Sequence, residues 1–289
     1  MANKIWFVPH PYDEPQGMGN HICQWNISDT HHRKLIYSSN AEVIGLNTDT
    51  KGFSRVSKKD IFFLGEWECC SKIRQNNGNN VFKYIHTPIY SEMDSYKRII
   101  NTDPFVFGDD FYYTCCKLRD RMEAGDIVLF GHFKYQSKSN TNKMPNNKVQ
   151  STDLFIDTVI VLKEKVNRFY SPSHKFPSGY EEVTLSKMPL DHDIWIAQMH
   201  HANNKFFSFV PCQIDNQSGY SPITEAPKVV VYSKADGIYL NGAQNGNHIE
   251  VSDIYDVYLD IVSQITTANW ELGVKMPMPN TEILKNIIK

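Results

Sequence analysis

Glu66 and Glu68, Asp103, Cys116 with Lys117, and Asp157 are the side chains whose type and setting could do chemistry in this chain. Glu66 and Glu68 flank Trp67, so on an extended backbone the two carboxylates share one face and the indole takes the other. Asp103 precedes Pro104, which holds it in extended geometry. Asp157 falls inside DLFIDTVIVL (Asp153 to Leu162), a nearly continuous apolar run rich in β-branched residues. A carboxylate buried in such a strand is costly unless it is paired or hydrogen-bonded. It is therefore a site candidate, with a structural carboxylate bonded to a neighbouring loop as the equal alternative. Lys117 beside Cys116 would favour the thiolate and so a nucleophile. Adjacent residues often point apart, however, and a buried, inert cysteine is the commoner case.

The setting of these groups is aromatic. NTDPFVFGDDFYYTCCK, Asn101 to Lys117, packs five aromatic residues, three carboxylates, two cysteines and a lysine into one short stretch. Phe105 and Phe107 lie two residues apart and share a face of an extended chain; Tyr113 follows. Flat rings to stack on and carboxylates to accept from exocyclic amines are what a nucleobase pocket needs. The expected catalytic set is Glu66, Asp103, Cys116 and Asp157. The expected substrate-binding set is Trp67, Glu68, Phe105, Phe107, Tyr113 and Lys117. The competing reading is a core of Phe and Tyr with acids at the strand ends, which is the commoner fate of such aromatics.

Other chemistries find less support. Eleven histidines and six cysteines include the pairs His31–His32, His200–His201, Cys69–Cys70 and Cys115–Cys116. None has the spacing of a zinc site, and neighbours on a strand point to opposite faces, so no metal is expected. There is no Walker loop, no dinucleotide fingerprint and no GxSxG elbow; Gly17–Gly19 follows no strand-turn-helix pattern. Thirty basic residues face thirty-two acidic ones, which argues against coating DNA by bulk charge but leaves room for a pocket that takes one base. The cofactor and any protein partner are unknown at this level.

The elements that must position these groups are mostly strands. Lys4 to Val8, Ile61 to Cys70, Val81 to Tyr90, Ile127 to Phe133, Asp153 to Leu162 and the APKVVVYS run all read as β. Leu118 to Gly125 reads as a short charged turn of helix that stops at the glycine, with Asp126 at the start of the following strand. Trp195 to Ile214 reads as a helix-like start followed by a strand over Phe206 to Pro211. Ile254, Val257, Tyr258, Ile261, Val262 and Ile265 follow helical spacing, with Ser252 as the expected N-cap. Residues 134–152 carry four lysines and no acid between two apolar runs, and read as a polar insertion inside a long hairpin. It is a solvated loop, or a flap that closes over a phosphate.

Strands outnumber helices and do not alternate with them. The expected class is α+β, with a mixed, mainly antiparallel sheet or a PUA-like partial barrel and flanking helices. With 289 residues and 41% hydrophobic composition, a single domain over residues 1–289 is expected, with the insertion at 134–152. The apolar run Ile5 to Val8 is too short for a signal-peptide core, and no stretch approaches the roughly eighteen apolar residues of a membrane span. The vicinal cysteine pairs do not resemble a secreted disulfide framework. A cytoplasmic protein with no membrane partner is expected.

LGEWE (Leu64 to Glu68), NTDPFVFG (Asn101 to Gly108), the FYYTCCK that follows, GDIVLFG (Gly125 to Gly131) and DLFIDTVIVL together resemble the signature blocks of the nucleotide modification associated domain families. HHRKLI (His31 to Ile36) is a further similar block. These families are assigned to DNA base modification in phages and bacterial mobile elements. GDIVLFG is also similar to a turn-strand unit of PUA-like, EVE-like and ASCH-like barrels. The resemblance implies a protein that acts on, or recognises, a nucleobase or nucleotide, with base modification as the first expectation. It also admits a reader that binds a modified base without changing it, and a defence or anti-defence protein that binds a signalling nucleotide. On the matching blocks the polar candidates are Glu66, Glu68, Asp103, Cys116, Lys117 and Asp157.

Overall fold

The computed structural model describes residues 3–9, 34–47, 52–65, 71–74, 80–83, 104–113, 121–133, 153–168, 170–171, 173–183, 185, 193–201, 204–216, 226–230 and 247–278. Their elements are strands β1 (Asn3–Pro9), β2 (Lys34–Ile44), β3 (Leu46–Asn47), β4 (Gly52–Phe53), β5 (Ser57–Gly65), β6 (Ser71–Arg74), β7 (Asn80–Lys83), β8 (Tyr112–Tyr113), β9 (Ile127–Phe133) and β10 (Asp153–Asn167). Helix α1 (Ser178–Val183), strands β11 (Asp193–Ala197), β12 (Val210–Ile214), β13 (Lys228–Val230) and β14 (Asn247–Val251), helix α2 (Ile254–Thr267) and strand β15 (Glu271–Lys275) follow. Strands dominate, helices are few, and the sheets are mixed and antiparallel, as an α+β reading requires.

Seven strands form one sheet in the order β14-β1-β9-β10-β11-β8, with β13 also paired to β10. The β1–β9 pair is parallel and the other pairs are antiparallel. The long apolar run of Asp153 to Leu162 is the first part of β10, which lies inside the sheet, as its two-sided hydrophobicity demands. β12, β15, β2 and β5 close into a small four-stranded barrel. Val159 and Phe209 bridge the sheet to the chain that enters the barrel at β12.

Alternation along the strands divides the interior in two. Trp6, Val128, Phe130, Ile160 and Leu162 face a first core that continues into the barrel through Ala41, Val43, Ile61, Phe63, Val210 and Cys212. Ile5, Phe7, Leu129, Val159 and Val161 face a second core under α2. There Tyr258 is wholly buried, donates its hydroxyl to the Phe207 carbonyl at 2.9 Å and accepts from the Phe207 amide at 3.4 Å. Burial thereby holds this phenol far above the ordinary tyrosine range.

Four expectations need correction. Trp195 to Ala197 is not helix-like but strand, in β11, because Trp195 and Ile196 pair with Tyr113 and Tyr112 on one side and with Lys165 and Glu164 on the other. The strand expected over Phe206 to Pro211 starts only at Val210, with Phe207 and Phe209 anchored in the second core instead. The N-cap of α2 is Asp253, not Ser252: its carboxylate accepts from the amides of Tyr255 at 3.0 Å and Asp256 at 3.1 Å. Residues 121–125 form turns, with no helix among the described part of that stretch. The insertion at 134–152 lies outside the described residues, although β9 and β10, which it joins, pair antiparallel as a hairpin does. Among the described residues no helix is long and apolar enough to cross a membrane.

Candidate functional site at the β10 bulge

Asp157 stands at a break in register. Ile156 pairs with Gly131 of β9 and Thr158 pairs with the next residue back, Phe130, so Asp157 is the extra residue of a β-bulge. The cause is on the other flank of β10. The Ile156 amide donates to the Pro227 carbonyl at 3.0 Å, while Val159 exchanges two 2.9 Å hydrogen bonds with Phe209, so one strand serves different neighbours before and after the break. Gly131 lets the strands close there: a Cβ at that position would lie 2.0 Å from the Phe155 carbonyl oxygen.

The bulge redirects side chains. Ile156 and Val159 both face the second core, so Asp157 and Thr158 are left together on the face of Phe130 and Ile160. Asp157 is 1% exposed and Thr158 is wholly buried. The Thr158 hydroxyl has no hydrogen-bond partner among the described residues, which for a buried polar group calls for an explanation. A carboxylate and a hydroxyl thus sit side by side on the face of Phe130 and Ile160.

Four of the sequence blocks meet here. Leu64, from LGEWE, packs with Phe155 two residues before Asp157. Phe130 and Gly131, from GDIVLFG, are the cross-strand neighbours of the bulge. Tyr113, from FYYTCCK, sets its ring edge-on to Phe130 at 5.0 Å. Asp157 itself belongs to DLFIDTVIVL. Of the expected site residues, Phe105, Phe107, Tyr113 and Asp157 are described, and all four lie in or on the first core. Glu66, Trp67, Glu68, Asp103, Cys116 and Lys117 lie outside the described residues, as do the four vicinal cysteines.

The aromatic residues serve the core in this structure. Phe105, Phe107 and Tyr113 are 2–3% exposed. Phe105 and Tyr112 exchange backbone hydrogen bonds of 2.7 and 2.9 Å, folding the stretch back on itself. Phe105 packs on Tyr180 of α1 at 4.9 Å, and Phe107 reaches Phe63 of the barrel at 6.0 Å. Their rings are engaged by other rings, so a base could stack on them only after this layer moves. Asp109 and Asp110 sit at its turn. Asp109 is exposed and forms an ion pair with Lys275. Burial first, then the charges of Asp110 and Asp109, push the Tyr112 phenol far above its ordinary range, so it stays protonated.

Sequence reasoning placed Asp126 only at a strand start. It is a buried carboxylate, 2% exposed, that accepts from the Lys4 amide at 2.9 Å, the Trp6 indole at 2.8 Å and the Glu123 amide at 3.0 Å. Such full engagement is that of a structural fastener. Among the described residues no three metal-ligating side chains come together. Compared with known proteins, the chain matches no family model, no curated protein and no solved structure.

Proposed function

We propose that this chain binds a nucleobase or nucleotide at the β10 bulge and takes part in its chemical modification. The observation that supports this is that four separate sequence blocks border the β10 bulge that carries Asp157: Phe130 pairs with Thr158, Tyr113 packs on Phe130, and Leu64 packs with Phe155, two residues before Asp157. Asp157 would orient the base by accepting from its amino or ring N–H groups, or would serve as the general base; the neighbouring rings would stack. Glu66, Asp103 and Cys116 complete the proposed catalytic set, and Trp67, Glu68 and Lys117 the binding set, on the resemblance alone. Asp157 and Tyr113 are covered in this structure, so binding requires the layer over them to open.

The closed four-stranded barrel, which the sheet meets through β10, and the GDIVLFG turn-strand favour a second reading, a PUA-like or EVE-like reader that binds a modified base without changing it. One set of experiments addresses both. The protein is screened by thermal shift against mononucleotides, modified nucleosides, cyclic dinucleotides and short oligonucleotides, and every binder is followed by mass spectrometry. A ligand at about a hundred times its Kd stabilises the fold by roughly 2.7 kcal/mol. The expected result is a selective shift that disappears in a folded Asp157→Asn variant. A new product supports modification, and unchanged ligand after long incubation supports the reader. A flat screen with folded protein, or a shift that survives Asp157→Asn, would overturn the site.

A further inference from the structure

The barrel has an open end with charged residues where its interior pattern calls for apolar ones. Ser57, Lys59, Ile61 and Phe63 alternate along one face of β5, and Ile61 and Phe63 belong to the first core. Lys59 pairs with Ala41 of β2, Ser57 with Val43, and Glu271 of β15 with Cys212 of β12; Ala41, Val43 and Cys212 are all interior. Lys59, which is exposed, and half-buried Glu271 therefore stand at the rim of the barrel mouth, in register with interior residues. They line one cavity of about 340 Å³ together with Val43, Gly45, Leu46, Ser54, Ser57 and Ile214. That size falls within the range of small-molecule sites.

The two charges do not satisfy each other. Neither side chain takes part in an ion pair or a side-chain hydrogen bond among the described residues. The walls are otherwise fixed. The Gly45 amide donates to the Ser54 hydroxyl at 2.8 Å and the Ser54 amide donates back to the Gly45 carbonyl at 2.8 Å. Gly45 also makes room for the acid, since a Cβ there would lie 3.0 Å from the Glu271 carboxylate. A cation and an anion that have no partner among the described residues thus line a cavity with aliphatic Val43, Leu46 and Ile214.

We propose that the barrel mouth is a second ligand site, distinct from the β10 bulge, and that it takes a small aliphatic zwitterion of the amino-acid or dipeptide class. Glu271 would hold the ammonium, Lys59 the carboxylate, and Val43, Leu46 and Ile214 the aliphatic body. Its separation from the bulge follows from β5: Ser57 at the mouth and Leu64 beside Phe155 stand roughly 20 Å apart at ~3.3 Å per residue.

The test is calorimetric titration of the full chain with L-leucine and leucyl-leucine. The comparison ligands are 3-methylbutylamine, which lacks the carboxylate of leucine, and 4-methylpentanoate, which lacks its amine. One of the two zwitterions is expected to bind, and removing either charge from it should weaken binding roughly tenfold or more. Lys59→Met should erase the preference for the zwitterion over the amine, and Glu271→Gln its preference over the acid. Gly45→Ala, which displaces only the flexible end of Glu271, should weaken binding in a folded protein. The proposal is overturned if folded protein binds neither zwitterion, or if Glu271→Gln and Lys59→Met bind it as the parent does. A response to mononucleotides alone at this mouth would overturn it equally.

Discussion

Two buried carboxylates on one sheet show how much the surroundings decide what an acid does. Asp126 is enclosed by three donors, two of them from β1, over a hundred residues away in the chain. Replacing it with Ala would leave the Trp6 indole N–H and the amides of Lys4 and Glu123 without their acceptor. Stranded buried donors cost about 1–3 kcal/mol each, less where water reaches them, so we expect Asp126→Ala to lose about 3 kcal/mol. Urea unfolding should show this as a lowered midpoint with an unchanged slope. A loss well under 1 kcal/mol would mean that water takes the place of the carboxylate and that the fastener is dispensable. Asp157, in contrast, is placed by a bulge, and its conservative replacement is expected to act on ligand binding before stability.

At the scale of elements, α2 offers a sharp comparison because Ser252 and Asp253 both suit an N-cap by residue type. The structure uses Asp253, with an extended backbone and two accepted amide bonds. Asp253→Ala should therefore cost about 1 kcal/mol by chemical denaturation, while Ser252→Ala should change little. Equal losses would mean that the helix starts at either residue. The body of α2 was legible: of the six residues expected on its apolar face, all but Val257 are buried. β9 was legible to the residue, since a glycine turn leads straight into an apolar run. β11 was not, because Ala197 and the Gln198 and Met199 that follow it favour helix, while pairing with β8 and β10 holds Asp193–Ala197 extended. An acid inside the run of β10 could be seen in the sequence; the bulge that aims it could not. It arises from Pro227 and Phe209, which reach β10 from parts of the chain far beyond any local pattern. Barrel closure is equally non-local, joining strands between residues 34 and 275.

The whole molecule carries a histidine at the border of each core, and both respond to acid in the same sense. His248 packs at a tilt against Trp6 of the first core at 4.5 Å, and His200 meets Phe207 of the second edge-on at 4.8 Å. Burial lowers both below the ordinary value of 6.5. The charge of His201 adds to this at His200, against Glu42; Lys4 and Arg121 add to it at His248, against Glu250 and Asp126. The unfolded chain then takes up protons near pH 6.5 that the folded chain refuses until a lower pH. Where the unfolded state binds more protons, stability rises with pH. The contribution of each imidazole is thus whole above 6.5 and declines as the pH falls from there toward the lowered folded value. Urea midpoints taken from about pH 7.5 to about pH 5.5 should fall, and His200→Gln and His248→Gln should each flatten that decline. The two effects should add, because the histidines border separate cores and share no partner among the described residues. An unchanged slope in the double variant would place the acid sensitivity elsewhere and leave both imidazoles as packing groups alone.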